Sequence, residues 1–389
     1  MIKKIKINSL FLVYLLGFFF AFHTALPTYI NSSFISNFIP KDSVGVIYII
    51  GSILTIISFF LMPFVLRKFG NYKTSLFLII LEFISLLGVA FLPGSFWLLS
   101  LFMVNLVTIP LVYFSTDIFL EGFSCNNKTG RIRGIYLTSV NLAWAVSPLI
   151  AGLILTDSNY WKIYLASTIF LIPAILILIT GLNKFKDSRY EATHIFQTTK
   201  LVWKNKNLRN IFMANFLLFF FYSWMTIYMP LYLHDNVGFS WSQIGIIFSV
   251  MLLPFVFVQI PLGRLADKVW GEKEIMSLGF IIMAISTGLI SFIAGANMAL
   301  WAAILFITRI GAATVEIMCD TYFFKKVDCL DTNIISFFRM TSPLAYILGP
   351  FCATIMFTLF HFNIQYLFLV LGLLMFAGLV FSLALKDTK

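Results

Sequence analysis

In a chain that is 60% hydrophobic and only 11% charged, an ionisable residue inside an apolar stretch is a chemical signal. Insertion scales put Arg or Asp at the bilayer centre at about 2.5–3.5 kcal/mol unfavourable, so such residues default to function. Three stand out. Arg309 lies near the middle of the apolar stretch 298–321, and its planar fork of donors suits a carboxylate or phosphate. It is the leading candidate for a solute contact. Glu82 lies midway along 74–93, where a carboxyl can bind and release a proton. His23, within 9–31, has an imidazole that titrates near neutral pH and is a candidate both for solute binding and for proton coupling. The bland readings stay open: Arg309 paired structurally with a partner such as Glu82, and His23 satisfied by a backbone carbonyl.

A second set of charges sits near the ends of the apolar stretches. Glu316 and Asp320 are expected to share a network with Arg339, Asp267 and Lys268, with Glu316 and Arg339 as a direct pair. Asp117 and Glu121 are expected to do likewise with Arg131 or Arg133. Such a network can close one end of a pathway; the alternative is that these charges only anchor helix ends. Asn105, Thr108, Asn141, Trp144, Tyr222 and Trp224 are candidate cavity residues, although packing is the commoner role for each aromatic. No phosphate loop, metal cluster or nucleophile–base pair is found, so neither an enzyme nor a cofactor nor a metal is expected.

The elements that must position these residues are membrane helices. A spanning helix needs about 20 apolar residues to cross roughly 30 Å of hydrocarbon. Twelve stretches qualify: 9–31, 43–66, 74–93, 96–120, 133–155, 160–182, 209–233, 242–265, 275–294, 298–321, 333–359 and 362–385. With the N-terminus inside, every Lys and Arg except Lys41, Lys162, Arg309 and Arg339 falls on the cytoplasmic side. That asymmetry predicts a multi-pass protein of the cytoplasmic (inner) membrane with both termini cytoplasmic. The net charge of +11 therefore reads as topology, not as a nucleic-acid footprint. Lys3, Lys4 and Lys6 precede an apolar run without a small-residue cleavage site, so the run is kept as the first span. Cys125, Cys319, Cys329 and Cys352 lack metal spacing and are expected as free thiols. Residues 190–208 can form a short basic amphipathic helix on the bilayer surface, with Ile195, Leu201, Val202 and Trp203 toward lipid.

The two halves repeat at an offset of about 200 residues, as parallel repeats of a transporter do. Pro27-Thr28-Tyr29-Ile30 matches Pro230-Leu231-Tyr232-Leu233, and Val44-Gly45-Val46-Ile47-Tyr48 matches Ile244-Gly245-Ile246-Ile247-Phe248. Asp117 and Glu121 match Glu316 and Asp320. The expected organisation is an N-terminal six-helix bundle (1–182), a basic cytoplasmic linker (183–208) and a C-terminal six-helix bundle (209–389).

On these residues the sequence resembles the major facilitator superfamily along its whole length. Gly263-Arg264-Leu265-Ala266-Asp267-Lys268-Val269-Trp270-Gly271-Glu272-Lys273 is similar to the family's signature loop, with one extra residue before the second Gly. The loop Pro63-Phe64-Val65-Leu66-Arg67-Lys68-Phe69-Gly70-Asn71-Tyr72-Lys73 is a worn copy: Pro63 replaces the first Gly, and Arg67 stands where the Asp is expected. The N-terminal gate is accordingly expected to be wired differently. Gly134, Ala143, Ser147-Pro148 and Ala151-Gly152 fall on the spacing of the family's antiporter motif with three glycines replaced, and Gly349-Pro350 looks like a common kink of the superfamily. The resemblance implies an all-α membrane fold of two pseudo-symmetric bundles. It implies a monomeric secondary transporter of a small solute working by alternating access, with protons as the coupling ion and the direction open. Alternatives are multidrug or lipophile efflux, a lipid flippase, or a non-transporting membrane sensor of the same fold.

Overall fold

A computed structural model of the chain describes residues 2–40, 43–92, 95–124, 129–155, 159–187, 195–268, 270–327 and 332–386. Ordered elements among them are all helical: α1 (Ile2–Thr28), α2 (Asn31–Ile35), α3 (Val44–Phe91), α4 (Ser95–Ser124), α5 (Thr129–Ile154), α6 (Trp161–Ile177), α7 (Ile195–Lys204) and α8 (Lys206–Leu231). There follow α9 (Trp241–Phe257), α10 (Gln259–Lys268), α11 (Glu272–Ile290), α12 (Met298–Lys326), α13 (Thr332–Arg339), α14 (Thr341–Phe360), α15 (Ile364–Met375) and α16 (Ala377–Leu383). Among the described residues, ten stretches are long and apolar enough to cross a membrane. One of them, α3, is two helices joined at Gly70 (φ 76°, ψ 165°), and α9 is a shorter apolar helix. Together they make the twelve helices of a multi-pass membrane protein. Phe77, Phe96, Trp97, Leu153, Phe292 and Leu359 stand exposed while His23, Glu82 and Arg309 are buried. That reverses what water selects and suits a lipid solvent.

Three of the expected spans are interrupted. Stretch 242–265 breaks at Val258 into α9 and α10, and 333–359 breaks at Met340 into α13 and α14. The cause is local. A proline has no N–H for the carbonyl four residues earlier, so Pro261 strands Phe257 and Pro343 strands Arg339, each at the last residue before its break. Stretch 362–385 bends at Phe376, between α15 and α16.

The chain divides into two compact units, one of Met1–Thr28 with Ile50–Thr193, the other of Tyr29–Ile49 with His194–Lys389. Residues 29–49 thus pack with the second unit although they belong to the first half of the sequence. In the first unit α1 is central, lying against α4, α5 and α6. Pro27 leaves the carbonyl of His23 without an intrahelical donor, and Ser167 Oγ on α6 supplies one at 2.6 Å. Gly70 has a positive φ that side chains rarely adopt, and the turn it makes brings the next residue's N–H to Asp187.

In the second unit α8 lies against α12, α14, α15 and α16, while α11 pairs with α12 and α15. Close approach needs small residues where no hydrophobic force drives helices together. At Gly311 an added Cβ would sit 2.7 Å from the Gly279 carbonyl oxygen and 2.8 Å from the Met283 nitrogen. Polar ties complete the packing: Asn215 Nδ2 donates to Thr341 Oγ1 at 2.7 Å, and Gln365 Nε2 to the Ser291 carbonyl at 2.5 Å. Ser240 and Gln243 cap α9 reciprocally, and Asn297 caps α12. Segment 29–49 docks in this unit through aromatic contacts, Tyr29 to Phe248 at 4.6 Å and Tyr48 to Tyr346 at 6.5 Å between ring centres.

Candidate functional site

The first unit holds a closed polar cluster around Glu82, which is completely buried. His23 Nδ1 lies 2.5 Å from the Phe20 carbonyl, and Nε2 lies 3.2 Å from Glu82 Oε1. Asn105 Nδ2 donates to the same carboxylate oxygen, and Thr108 Oγ1 bonds the other. A carbonyl only accepts, so Nδ1 carries a hydrogen, and one further proton is shared between Nε2 and Oε1. With that proton on nitrogen the pair is imidazolium and carboxylate; with it on oxygen both groups are neutral. Either arrangement is satisfied, because Thr108 Oγ1 can donate to Glu82 or to the Val104 carbonyl at 3.0 Å. The net charge is zero in both, and the cluster changes charge when it takes up or loses one proton.

This geometry gives two of the expected site residues partners within the unit. His23 and Asn105, named as solute contacts, spend their polar atoms on Glu82 and the α1 backbone, and both are buried within the unit. The Glu82 carboxylate is held by His23, Asn105 and Thr108, all of the same unit. Asn141 is buried on α5, and Trp144 beside it is partly exposed.

The second unit holds the other cluster. Arg309 is 1% exposed, 11 residues along α12 and so about 16 Å from its start, close to mid-membrane. Its guanidinium lies over Phe221 at 5.0 Å and over Tyr222 at 5.5 Å, and among the described residues its Nε has no acceptor. A buried donor without a partner costs about 1–3 kcal/mol, more for a charged group. Glu316, seven residues on and on the same helix face, accepts from Tyr222 Oη at 3.2 Å and Gln259 Nε2 at 3.4 Å. Tyr222 thus bridges the two charges, its ring on the cation and its hydroxyl on the anion. The phenol of Tyr29 is within electrostatic reach of Arg309.

The Glu316 carboxylate turns toward α8 and α10, and Asp320 and Arg339 both act on it electrostatically. Trp224 is 1% exposed and its indole N–H donates to the Gly349 carbonyl at 2.7 Å, a strut between α8 and α14. The side chains of Asp267, Lys268, Arg131, Arg133 and Gly263 lie outside the described residues, as do Cys125 and Cys329. Asp117 is buried on α4, Glu121 is half-buried, and Gly271 precedes α11 in an extended conformation. Cys319 and Cys352 are free thiols. No group of three or more metal-ligating side chains comes together among the described residues.

The worn loop at Gly70 has a partner that sequence reasoning missed. Asp187 Oδ1 accepts from the Asn71 N–H at 2.7 Å, at the start of the second helical segment of α3. Phe185 anchors that strand of the linker, 4.7 Å from Phe119 and 5.3 Å from Phe123 between ring centres. A carboxylate from the end of the first six spans therefore serves the loop in which Arg67 stands in place of Asp. Gln259, Phe221 and Tyr29 were also missed, since an apolar sequence gives amides and aromatics no distinguishing pattern.

A family model described as the Major Facilitator Superfamily matches residues 10–329, with a second, overlapping match at 242–389. No curated protein sequence matches the chain significantly. Among solved structures the fold is similar to the crystal structure of the human organic anion transporter MFSD10 (TETRAN). The TM-score is 0.74 at 13% identity, over 97% of this chain and 99% of that one. The family-model match spans most of the chain, so the chain belongs to the major facilitator superfamily, a family of membrane transporters.

Proposed function

We propose that the protein is a proton-coupled secondary transporter of a small organic anion, working by alternating access in the cytoplasmic membrane with both termini in the cytoplasm. The observation that carries the reading is Arg309: a buried cation near mid-membrane, stacked on Phe221 and Tyr222, with a guanidinium nitrogen that no described residue occupies. A carboxylate or phosphate of the solute would complete it, and the surrounding rings would cover an aromatic or apolar body. The similar fold of a transporter of organic anions supports the same chemistry. The coupling proton is assigned to the His23–Glu82 pair, which is closed, buried and able to hold the proton on either partner.

The test is purified protein in liposomes with an imposed pH gradient, screened with aryl and alkyl carboxylates beside their neutral methyl esters. Gradient-driven flux of the anions and not of the esters is expected. Flux of uncharged or cationic lipophiles in preference to anions would favour an efflux or flippase function, and solute binding without flux would indicate a sensor.

A further inference from the structure

The second unit carries a groove of about 420 Å³ on its lysine-rich side, away from Arg309, between the linker helix α7, the start of α8 and α16. Its lining joins Trp203, Lys206 and Arg209 to the apolar Met213, Val380 and Phe381. The helices around it are strongly basic. Lys200, Lys204, Lys206 and Arg209 fall within α7 and the first turn of α8, which contain no acidic residue. The walls are tied in place: Asn210 Nδ2 donates to the Ala384 carbonyl at 3.3 Å, the Lys386 N–H donates to Asn207 Oδ1 at 3.1 Å, and Tyr322 Oη donates to the Lys386 carbonyl at 2.8 Å. The groove is therefore built before anything enters it.

We propose that this groove binds an anionic phospholipid of the adjacent leaflet, its phosphate between Lys206 and Arg209 and its acyl chain along Met213, Val380 and Phe381. Three observations select a lipid over a soluble anion. Val380 is 67% and Trp203 47% exposed, so the apolar wall opens outward where bilayer surrounds the helices. Trp203 has the amphipathic ring that membrane proteins place at the headgroup level. The seven residues from Lys206 to Met213 descend about 10 Å, enough to pass from headgroup to acyl chain. Basic pockets between helices at the membrane surface attract acidic headgroups through just this pairing of charge and depth.

The test uses the full-length protein in phosphatidylcholine vesicles doped with phosphatidylglycerol brominated on its acyl chain, or with equally brominated phosphatidylcholine. The signal is Trp203 fluorescence, taken as wild type minus Trp203→Phe. Quenching is expected to be greater with the brominated phosphatidylglycerol, to be relieved by unlabelled phosphatidylglycerol and to be unaffected by inorganic phosphate. Each cation near an anionic surface is worth about 1 kcal/mol, so the double variant Lys206→Gln/Arg209→Gln should bind about thirtyfold more weakly. Lys204→Gln, on the neighbouring turn, should leave binding within a few-fold of wild type. Raising the salt concentration on the wild-type protein gives the same test without a variant and should weaken the preference for phosphatidylglycerol. Equal quenching by the two brominated lipids, an unchanged double variant, or competition by inorganic phosphate would overturn the proposal.

Discussion

Replacing Glu82 by Gln isolates the proton from everything else the cluster does. The amide keeps the size of the side chain: an amide oxygen in the place of Oε1 still accepts from Asn105, and the NH2 takes the place of Oε2 beside Thr108 Oγ1. Folding should survive at a cost of about 1–3 kcal/mol, because Asn105 and Thr108 keep partners while His23 Nε2 loses the carboxylate. The capacity to exchange a proton between Nε2 and Oε1 is removed outright. The proposed carrier is a single Nε2–Oε1 contact, so one proton per cycle is the predicted coupling. A gradient of one pH unit is worth about 1.4 kcal/mol per proton, which displaces the solute distribution at most about tenfold when the membrane potential is clamped at zero. Wild-type proteoliposomes with valinomycin and equal potassium on both sides should approach that ratio for a transported carboxylate. Glu82→Gln should stay at a ratio near one while still exchanging labelled solute for unlabelled. His23→Gln should do the same. A Glu82→Gln protein that still concentrates solute near tenfold per pH unit would refute the assignment, and so would a wild-type ratio near a hundredfold, which needs two protons.

Other substitutions test the remaining parts. Arg309→Gln should reduce kcat/KM for the anion by about thirtyfold or more, since losing one partner of a buried charge pair costs about 2–5 kcal/mol; Arg309→Lys, which keeps the charge without the fork, should fall between, and full activity of Arg309→Gln removes it from the site. Asp187→Ala should lower stability by about 0.5–2 kcal/mol through loss of the acceptor at Asn71, read as a lower Tm in detergent, with Asp187→Asn recovering most of it; an unchanged Tm in Asp187→Ala would mean the contact carries no weight. Gly311→Ala should drive α11 and α12 apart and lower Tm, because its Cβ would lie 2.7 Å from a backbone oxygen that cannot move aside; a neutral effect would show that the pair can separate freely. Ser167→Ala should cost about 1 kcal/mol by leaving the His23 carbonyl unpaired beneath Pro27, and an unaltered Tm would show that another donor reaches it.

Much of the candidate site was legible because polar residues are rare in this chain. Arg309, Glu82, His23, Tyr222 and Glu316 could be picked out as exceptions to an apolar background, and all five lie in the two clusters. Their partners could not. His23 and Glu82 are 59 residues apart, and which face each helix turns toward its neighbours depends on packing that one-dimensional hydropathy does not encode. Trp224 shows the same gap from the other side, a side chain named for a cavity that is spent on Gly349. Asp187 was invisible for a simpler reason: it lies in a polar linker, where a carboxylate carries no signal until a chain reversal brings it to Gly70.

The sequence by itself determined the solvent, the helix count and the class. Backbone groups in lipid must be satisfied within the segment, so apolar runs of sufficient length become helices whatever surrounds them. Prolines are equally local, and Pro261 and Pro343 mark their breaks because a missing N–H acts only on the carbonyl four residues back. Tertiary structure alone decided who pairs with whom: His23 with Glu82, Tyr222 between Arg309 and Glu316, and segment 29–49 with the second unit. Helix rotation and depth in a bilayer are set by interlocking side chains and close glycine contacts, such as Gly279 against Gly311. Those are properties of two surfaces together, and no single stretch of sequence contains both.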